Sequence, residues 1–176
     1  MNLHETIFSE DRVYRYQLWR EFAGEFLWEG GNKMKDGFVL FIGLNPSTAD
    51  ETKDDPTIRR CIAFAKVWGY GALCMANLFA FRATKPKDMM AADDPIGSQN
   101  DQILINTAKE AGLVICAWGN GGNFIGRGIL VCDMLRDEGI QTHHLGLNSD
   151  WTPKHPLYLR KDTQPEPYRN PTTKSA

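Results

Sequence analysis

Clustered cysteines are missing from this sequence, which excludes the usual cysteine-based metal sites. The 176 residues contain four cysteines, none of them in a C-x-x-C arrangement, and each lies among apolar residues. Zinc and iron–sulfur centres need closer clustering of their ligands. We therefore predict buried, reduced thiols, and we predict neither a metal nor another cofactor.

Long apolar runs are also missing. No stretch approaches the roughly 20 apolar residues that span a bilayer, and residues 1–10 lack the basic start and apolar run of a signal peptide. We expect a cytoplasmic protein with no membrane partner. The length, with 42% hydrophobic and 24% charged residues, predicts a single globular domain over residues 1–176 and an irregular tail from about residue 164.

An excess of positive charge is absent as well. The chain has 20 lysines and arginines against 22 aspartates and glutamates, a formal net charge of −2, which argues against a non-specific coat on DNA. Residues 154–176 reverse this balance, because five basic residues there accompany two acidic ones. A local grip on a few phosphates stays open, and the oligomeric state is not indicated.

The hydrophobic pattern alternates between strand-like and helix-like segments. Alternation over residues 12–22 predicts a half-buried strand, and the apolar run at 38–42 predicts a strand buried on both faces. Helices are predicted at 57–68, 98–111 and 125–138, the second capped by Ser98, and further strands at 72–79, 113–118 and 140–147. This order predicts an α/β three-layer sandwich with a central, mainly parallel four-stranded sheet and an added N-terminal strand.

Ligands of such folds bind at the carboxyl ends of the strands, so the loops there are the candidate sites. The first loop, residues 43–50, reads GLNPSTAD. Gly43 lets a ligand approach the backbone, and Asn45 offers both a donor and an acceptor. Four carboxylates follow between Asp50 and Asp55. They fit a divalent cation or, alternatively, solvated turn residues and a helix cap at Asp55 or Thr57.

The second and third loops add an amide and aromatic rings. Asn77 ends an apolar strand, where a buried amide needs partners, and Phe79 offers a ring on which a planar ligand can stack. The alternative is that Asn77 caps a turn and Phe79 is core. Trp118 and Gly119 begin a glycine-rich turn that matches no phosphate-binding motif, although its backbone amides suit an anion.

The fourth loop contains a histidine between Lys154 and Pro156. His155 is held stiffly by the nearby prolines and is a candidate donor to a leaving group. The adjacent pair at 143–144 lies within a predicted strand and is interpreted as structural.

Three of these motifs together resemble a known family. GLNPSTAD at 43–50, DPT at 55–57 and HPLYL at 155–159 resemble the bacterial and phage domain-of-unknown-function family 1643, over about residues 12–168. More distantly, the same loops resemble the uracil-DNA glycosylase superfamily, whose fold is a four-stranded parallel sheet between helices. In that resemblance Gly43, Leu44, Asn45 and Pro46 match the first motif, G-x-[DN]-P.

The resemblance also implies roles. It implies that Asn45 positions the attacking water, that Asn77 reads the edge of the base and that His155 stabilises the departing base. Trp118 and Gly119 fall at a third matching position. Ser47 and the Leu157–Tyr158 pair depart from the superfamily pattern, where glycine and Ser-Pro stand.

These observations predict a DNA glycosylase-like enzyme that hydrolyses the N-glycosidic bond of a modified or mismatched base. The predicted partner is DNA with a flipped base in the cleft, and Asp50 or Asp55 would help to activate water. The predicted substrate-binding residues are Gly43, Leu44, Pro46, Ser47, Asn77, Phe79, Trp118, Gly119, Lys154, Tyr158 and Arg160. Two alternatives stay open: an enzyme acting on free nucleosides, nucleotides or another small molecule, and a non-catalytic module that binds nucleic acid or protein.

Overall fold

A mixed β-sheet forms the centre of the protein, as a computed structural model of residues 5–22, 35 and 37–169 shows. Within these residues it has seven strands in the order β1-β2-β4-β3-β5-β6-β7. The strands are β1 Ile7–Phe8, β2 Arg15–Glu21, β3 Val39–Gly43, β4 Ala72–Asn77, β5 Leu113–Cys116, β6 Thr142–His144 and β7 Glu166–Pro167. The α/β class is confirmed, but the sheet is larger than the predicted four strands plus one.

Strand direction divides the sheet into a centre and two flanks. Strands β4, β3, β5 and β6 are mutually parallel, whereas β1, β2 and β7 join by antiparallel pairing. Parallel strands need long crossovers, and helices supply them. The carboxyl ends of the four central strands therefore meet at one edge.

Four helices complete the described part of the fold. They are α1 Pro56–Val67, α2 Pro86–Met90, α3 Asn100–Glu110 and α4 Arg127–Asp137, with short 3-10 segments at Asn120–Gly126 and Pro156–Tyr158. The Asp55 carboxylate caps α1 by accepting from the Ile58 amide at 2.9 Å, and Pro56 occupies the first turn. The cap predicted at Ser98 is wrong, since α3 begins at Asn100.

The apolar run of β3 connects two hydrophobic cores. Leu40 and Ile42 belong to a core that includes residues of α3 and α4, whereas Val39 and Phe41 belong to one that includes residues of α1. Successive side chains of a strand point to opposite faces. The run is therefore buried on both faces, as predicted, with helices in two outer layers.

Strand β2 differs from the prediction of a half-buried strand. Its residues from Arg15 to Trp19 are all buried. The Gln17 amide donates to the Thr107 hydroxyl of α3, and the Trp19 ring packs on Phe38 at 4.5 Å. Because β2 lies between β1 and β4 and is covered by other elements, its polar residues also lie inside the protein.

The segment predicted to be an irregular tail contains strand β7 within its described residues, 164–169. The Tyr168 amide donates to the Thr142 carbonyl at 2.8 Å, and the Trp68 indole donates to the Thr163 carbonyl at 3.1 Å. Tyr168 is buried. These contacts, rather than any periodicity of the segment itself, order it as far as the description extends.

The four cysteines are buried and unpaired, as predicted. No helix in the described residues is long and apolar enough to cross a membrane.

Candidate functional site

A cavity of about 180 Å³ lies at the carboxyl edge of the parallel strands. Its walls are largely apolar, and polar side chains interrupt them at separate positions. The apolar lining comes from Leu44, Ile58, Met75, Pro86, Ala117, Trp118 and Pro156, and the polar lining from Arg15, Asn45, Ser47, Asp55, Thr57, Asn77 and His155, with Gly43 between them. Such a mixture is typical of ligand pockets.

The fold brings together residues that are far apart in sequence. Gly43 ends β3 and pairs directly with Asn77, which ends β4. Trp118 follows β5, and His155 precedes the last 3-10 segment. The fold therefore brings Asn45, Asn77, Trp118 and His155 to one cavity.

Asn77 has a donor without a partner. Its residue is 3% exposed, and Nδ2 is buried with no hydrogen-bond partner in the described structure. On the other side of the amide, Oδ1 lies so close to Gly43 that a Cβ there would stand 2.8 Å from it. A buried amide donor without a partner is costly, so Nδ2 is a natural contact for a ligand acceptor.

Asn45 presents the opposite end of its amide. Its Nδ2 donates to the Ala83 carbonyl at 2.8 Å and to the Pro46 carbonyl at 3.1 Å. These bonds fix the orientation of the side chain and occupy its donor. Oδ1 is left as the acceptor for a water molecule or a ligand.

His155 is arranged as a neutral donor. Its Nδ1 accepts from the Leu157 amide at 3.3 Å, which places the ring proton on Nε2 in the neutral form. Burial of the ring lowers the pKa of His155, and the Asp55 carboxylate opposes this shift only in part. The ring is therefore uncharged at neutral pH, with an N–H for a ligand.

The two aspartates predicted to be catalytic are in different places. Asp55 lines the cavity while it caps α1. Asp50 does not line it: its Oδ1 accepts from the amides of Thr52 and Lys53, and these bonds lower the pKa of its carboxyl group. The assignment of Asp50 to this cavity is therefore wrong, because the carboxylate closes a turn outside it.

The other acids of this stretch are held by arginines of the N-terminal segment. Arg12 binds the Glu51 carboxylate with both guanidinium ends, at 2.7 and 3.0 Å, and Arg20 binds Asp54 at 2.7 Å. The described residues contain no group of three metal-ligating side chains. Ion pairs therefore engage Glu51 and Asp54, whereas Asp50 closes a turn and Asp55 caps α1.

Three predicted substrate-binding residues support the cavity from outside. Phe79 is fully buried and packs on Phe124 at 5.6 Å, so it belongs to the core and not to the lining. The Pro46 carbonyl receives the amides of Asn45 and Ala83. Gly119, with φ of +69°, donates its backbone N–H to the Pro153 carbonyl.

Three others lie on the surface and do not line the cavity. Lys154 is exposed, and Tyr158 is 91% exposed. Arg160 is exposed and paired with Asp162 at 2.9 Å. Any contact of these three residues with a phosphate backbone would therefore lie on the surface outside the cavity.

Arg15 is the charged lining residue that the sequence pattern missed. The alternation of β2 puts Arg15 with Gln17 and Trp19 on one side of a half-exposed strand, where an arginine needs no explanation. Only the burial of the whole strand indicates that Arg15 lines the cavity. That burial depends on partners that are distant in sequence. The Arg15 guanidinium donates to the Ala49 carbonyl, 34 residues away, at 2.5 Å.

The free energy of unfolding is expected to decrease as the pH falls from about 7.5 to about 5. Burial lowers the pKa values of both His144 and His155, so the unfolded chain binds more protons than the folded one in this range. Urea unfolding at a series of pH values measures the slope. His144→Gln and His155→Gln should each make it shallower, and a wild type whose stability stays flat would contradict the argument.

The cavity lies within the part of the chain that matches a protein family. The family model described as "Protein of unknown function (DUF1643)" matches residues 15–157, a span that contains every residue lining the cavity. No curated protein and no solved structure matches the chain.

Proposed function

We propose a function from the cavity itself, because the chain belongs to the DUF1643 family, whose description states no activity. The proposed function is hydrolysis of the N-glycosidic bond of a modified or mismatched base in DNA. The base would turn out of the helix and enter the cavity. The observation that carries this proposal is the cavity at the strand ends, which Asn45, His155 and Asn77 line together, Asn77 with an Nδ2 that has no hydrogen-bond partner in the described residues.

The position of the GLNP segment supports the proposal. Gly43 ends a central parallel strand, and Leu44 and Asn45 follow it into the cavity. The resemblance to the uracil-DNA glycosylase superfamily implies this placement for the residue that positions water. It implies a strand-end asparagine for base recognition too, and Asn77 ends the neighbouring strand.

The lining suits a flipped base. The apolar walls, including Trp118 and Leu44, cover the faces of a planar ring, and Asn77 Nδ2 donates to an acceptor on its edge. A base outside the helix loses its stacking, and apolar walls with edge hydrogen bonds replace what is lost. Asn77 is then the residue that selects the base.

In the proposed reaction, one group of residues acts on the water and another acts on the departing base. Water held by Asn45 Oδ1 adds its oxygen to the anomeric carbon of the sugar, and its proton passes to Asp55 or to solvent. The bond between that carbon and the base nitrogen breaks, and its electron pair leaves with the base. The Nε2–H of His155 and the Nδ2–H of Asn77 stabilise the departing anion by donating to it.

One observation favours a second candidate, a hydrolase or transferase of free nucleosides or nucleotides. The cations Arg12, Arg20 and Arg160 are each paired with an acid, which reduces the positive charge available to a DNA backbone. An enzyme that takes a whole small substrate into its cavity needs no such surface.

Incubation with a panel of oligonucleotides tests the proposal directly. Each carries one modified or mismatched base, in single- and double-stranded form, beside the free nucleosides and nucleotides. We expect an alkali-sensitive abasic site in at least one oligonucleotide and the free base by mass spectrometry. Both should be lost in His155→Ala and kept in the surface control Asn106→Ala.

Cleavage of free nucleosides or nucleotides without cleavage of any oligonucleotide would replace the proposal with the second candidate. Absence of released base from every substrate would contradict both.

A further inference from the structure

Arg15 is a buried cation that has no carboxylate partner among the described residues. Its residue is 2% exposed and it lines the cavity. Nη1 donates to the Ala49 carbonyl, but Nε is buried without a hydrogen-bond partner, and no ion pair forms with any acid in the described residues. The neighbouring arginines of the same segment, Arg12 and Arg20, both have their acids.

An unpaired buried charge is destabilising unless something compensates for it. Burial lowers the pKa of Arg15 to about 10, and the charges of Arg82 and Arg20 act in the same direction, while Asp55 opposes them. The guanidinium is therefore still protonated at neutral pH. The cavity holds a positive charge that the protein leaves incompletely neutralised.

Two other polar side chains of the lining add hydrogen-bond donors. Asn77 and His155 offer donors, and Asp55 is the one carboxylate of the lining, with an oxygen engaged by the Ile58 amide. The N-terminus of α1 meets the cavity beside it, which adds positive potential. A fitting ligand therefore supplies acceptors and negative charge.

We propose that Arg15 is the anion-binding residue of this cavity and that its ligand is an acidic heterocycle, a planar ring carrying negative charge on oxygen. The identification of this ring as a nucleobase rests on the proposed function, because the departing base of that reaction is such an anion. A guanidinium binds anionic oxygens with directed, charge-assisted hydrogen bonds. The apolar walls at Met75 and Ile58 favour a ring over a strongly hydrated phosphate.

Binding of free rings tests the inference without any glycosidic bond. Isothermal titration of the full chain at pH 7 compares 5-nitrouracil and orotate, which are anionic there, with thymine, which is neutral, and with inorganic phosphate. We expect the anionic rings to bind at least about tenfold more tightly than thymine. Phosphate should bind weakly.

Variants of Arg15 identify the source of the preference. Arg15→Gln should reduce binding of 5-nitrouracil to the level of thymine, and Arg15→Lys should keep part of the preference because it keeps the charge. Arg60→Gln is the matched control: Arg60 also has a buried Nε without a partner, but it does not line the cavity. Its affinities should equal those of the wild type.

A series of rings keeps the test decisive if Arg15→Gln does not fold. Uracil, 5-fluorouracil and 5-nitrouracil at pH 8 should bind the wild type in order of their acidity. Equal affinities along this series, a folded Arg15→Gln that keeps the preference, or tight binding of phosphate without binding of any ring would overturn the inference. Ring binding without glycosidic cleavage would leave it standing and remove the proposed reaction instead.

Discussion

Asn45→Ala is expected to slow the proposed cleavage step by about two to four orders of magnitude, the loss typical of removing a positioned catalytic group. The Asn45 side chain is anchored by the carbonyls of Ala83 and Pro46, so its Oδ1 holds a defined position at the cavity. Alanine removes that acceptor and leaves the attacking water without orientation. Substrate affinity should stay nearly unchanged, because Asn77 and Trp118 supply the contacts to the base.

Single-turnover kinetics separates the rate of the cleavage step from the substrate affinity. The plateau rate reports the chemical step, and its dependence on concentration reports binding. The substitution also removes two hydrogen bonds of roughly 0.5–1.5 kcal/mol each, so a thermal melt has to accompany the measurement. Asn106→Ala, on the exposed surface of α3, should leave both rate and affinity intact. Equal losses of affinity and rate in folded Asn45→Ala would assign Asn45 to substrate binding.

Local sequence patterns predicted much of the fold. The apolar run of β3 is confirmed as a strand buried on both faces. Helix α1 begins one residue before its prediction, at a cap and a proline that stand next to each other in the sequence. Since both signals are local, neighbouring residues were sufficient to interpret them.

Features that depend on distant partners were not predictable in this way. The Gln17 amide of β2 contacts Thr107, 90 residues away. Strand β7 exists because it pairs with β6, and its two residues carry no periodicity. Periodicity states which side chains share a face of a strand, but not whether another element covers that face.

The residues of the candidate site also divide into those with a local sequence signal and those that depend on distant partners. Asn45, Asn77, Trp118 and His155 were found because each lies near or beyond the carboxyl end of a predicted strand, and strand ends of a parallel sheet converge. Arg15 was missed because it lies within an antiparallel strand whose burial came from other parts of the chain. The positive charge of Arg15 is the basis for proposing an anionic ligand, although no local signal in the sequence indicated this residue.

Phe79 and Trp118 are both buried aromatic residues near strand ends, but they have different roles. Phe79 was predicted to stack on a ligand, but it is fully buried and packs on Phe124. Trp118 is almost as buried, at 3% exposure, yet it lines the cavity. Aromatic content near a strand end therefore does not separate a core ring from a pocket wall.

Phe79→Ala is expected to lower the free energy of unfolding by about 3–5 kcal/mol, the usual cost of truncating a buried phenylalanine. Urea unfolding measures this loss, and Tyr158→Ala, which truncates a 91% exposed ring, should stay within about 0.5 kcal/mol of the wild type. Among molecules of Phe79→Ala that remain folded, the affinity for 5-nitrouracil should match that of the wild type, because the lost ring does not line the cavity. A Phe79→Ala variant of nearly native stability and much weaker ring binding would instead return Phe79 to the binding site.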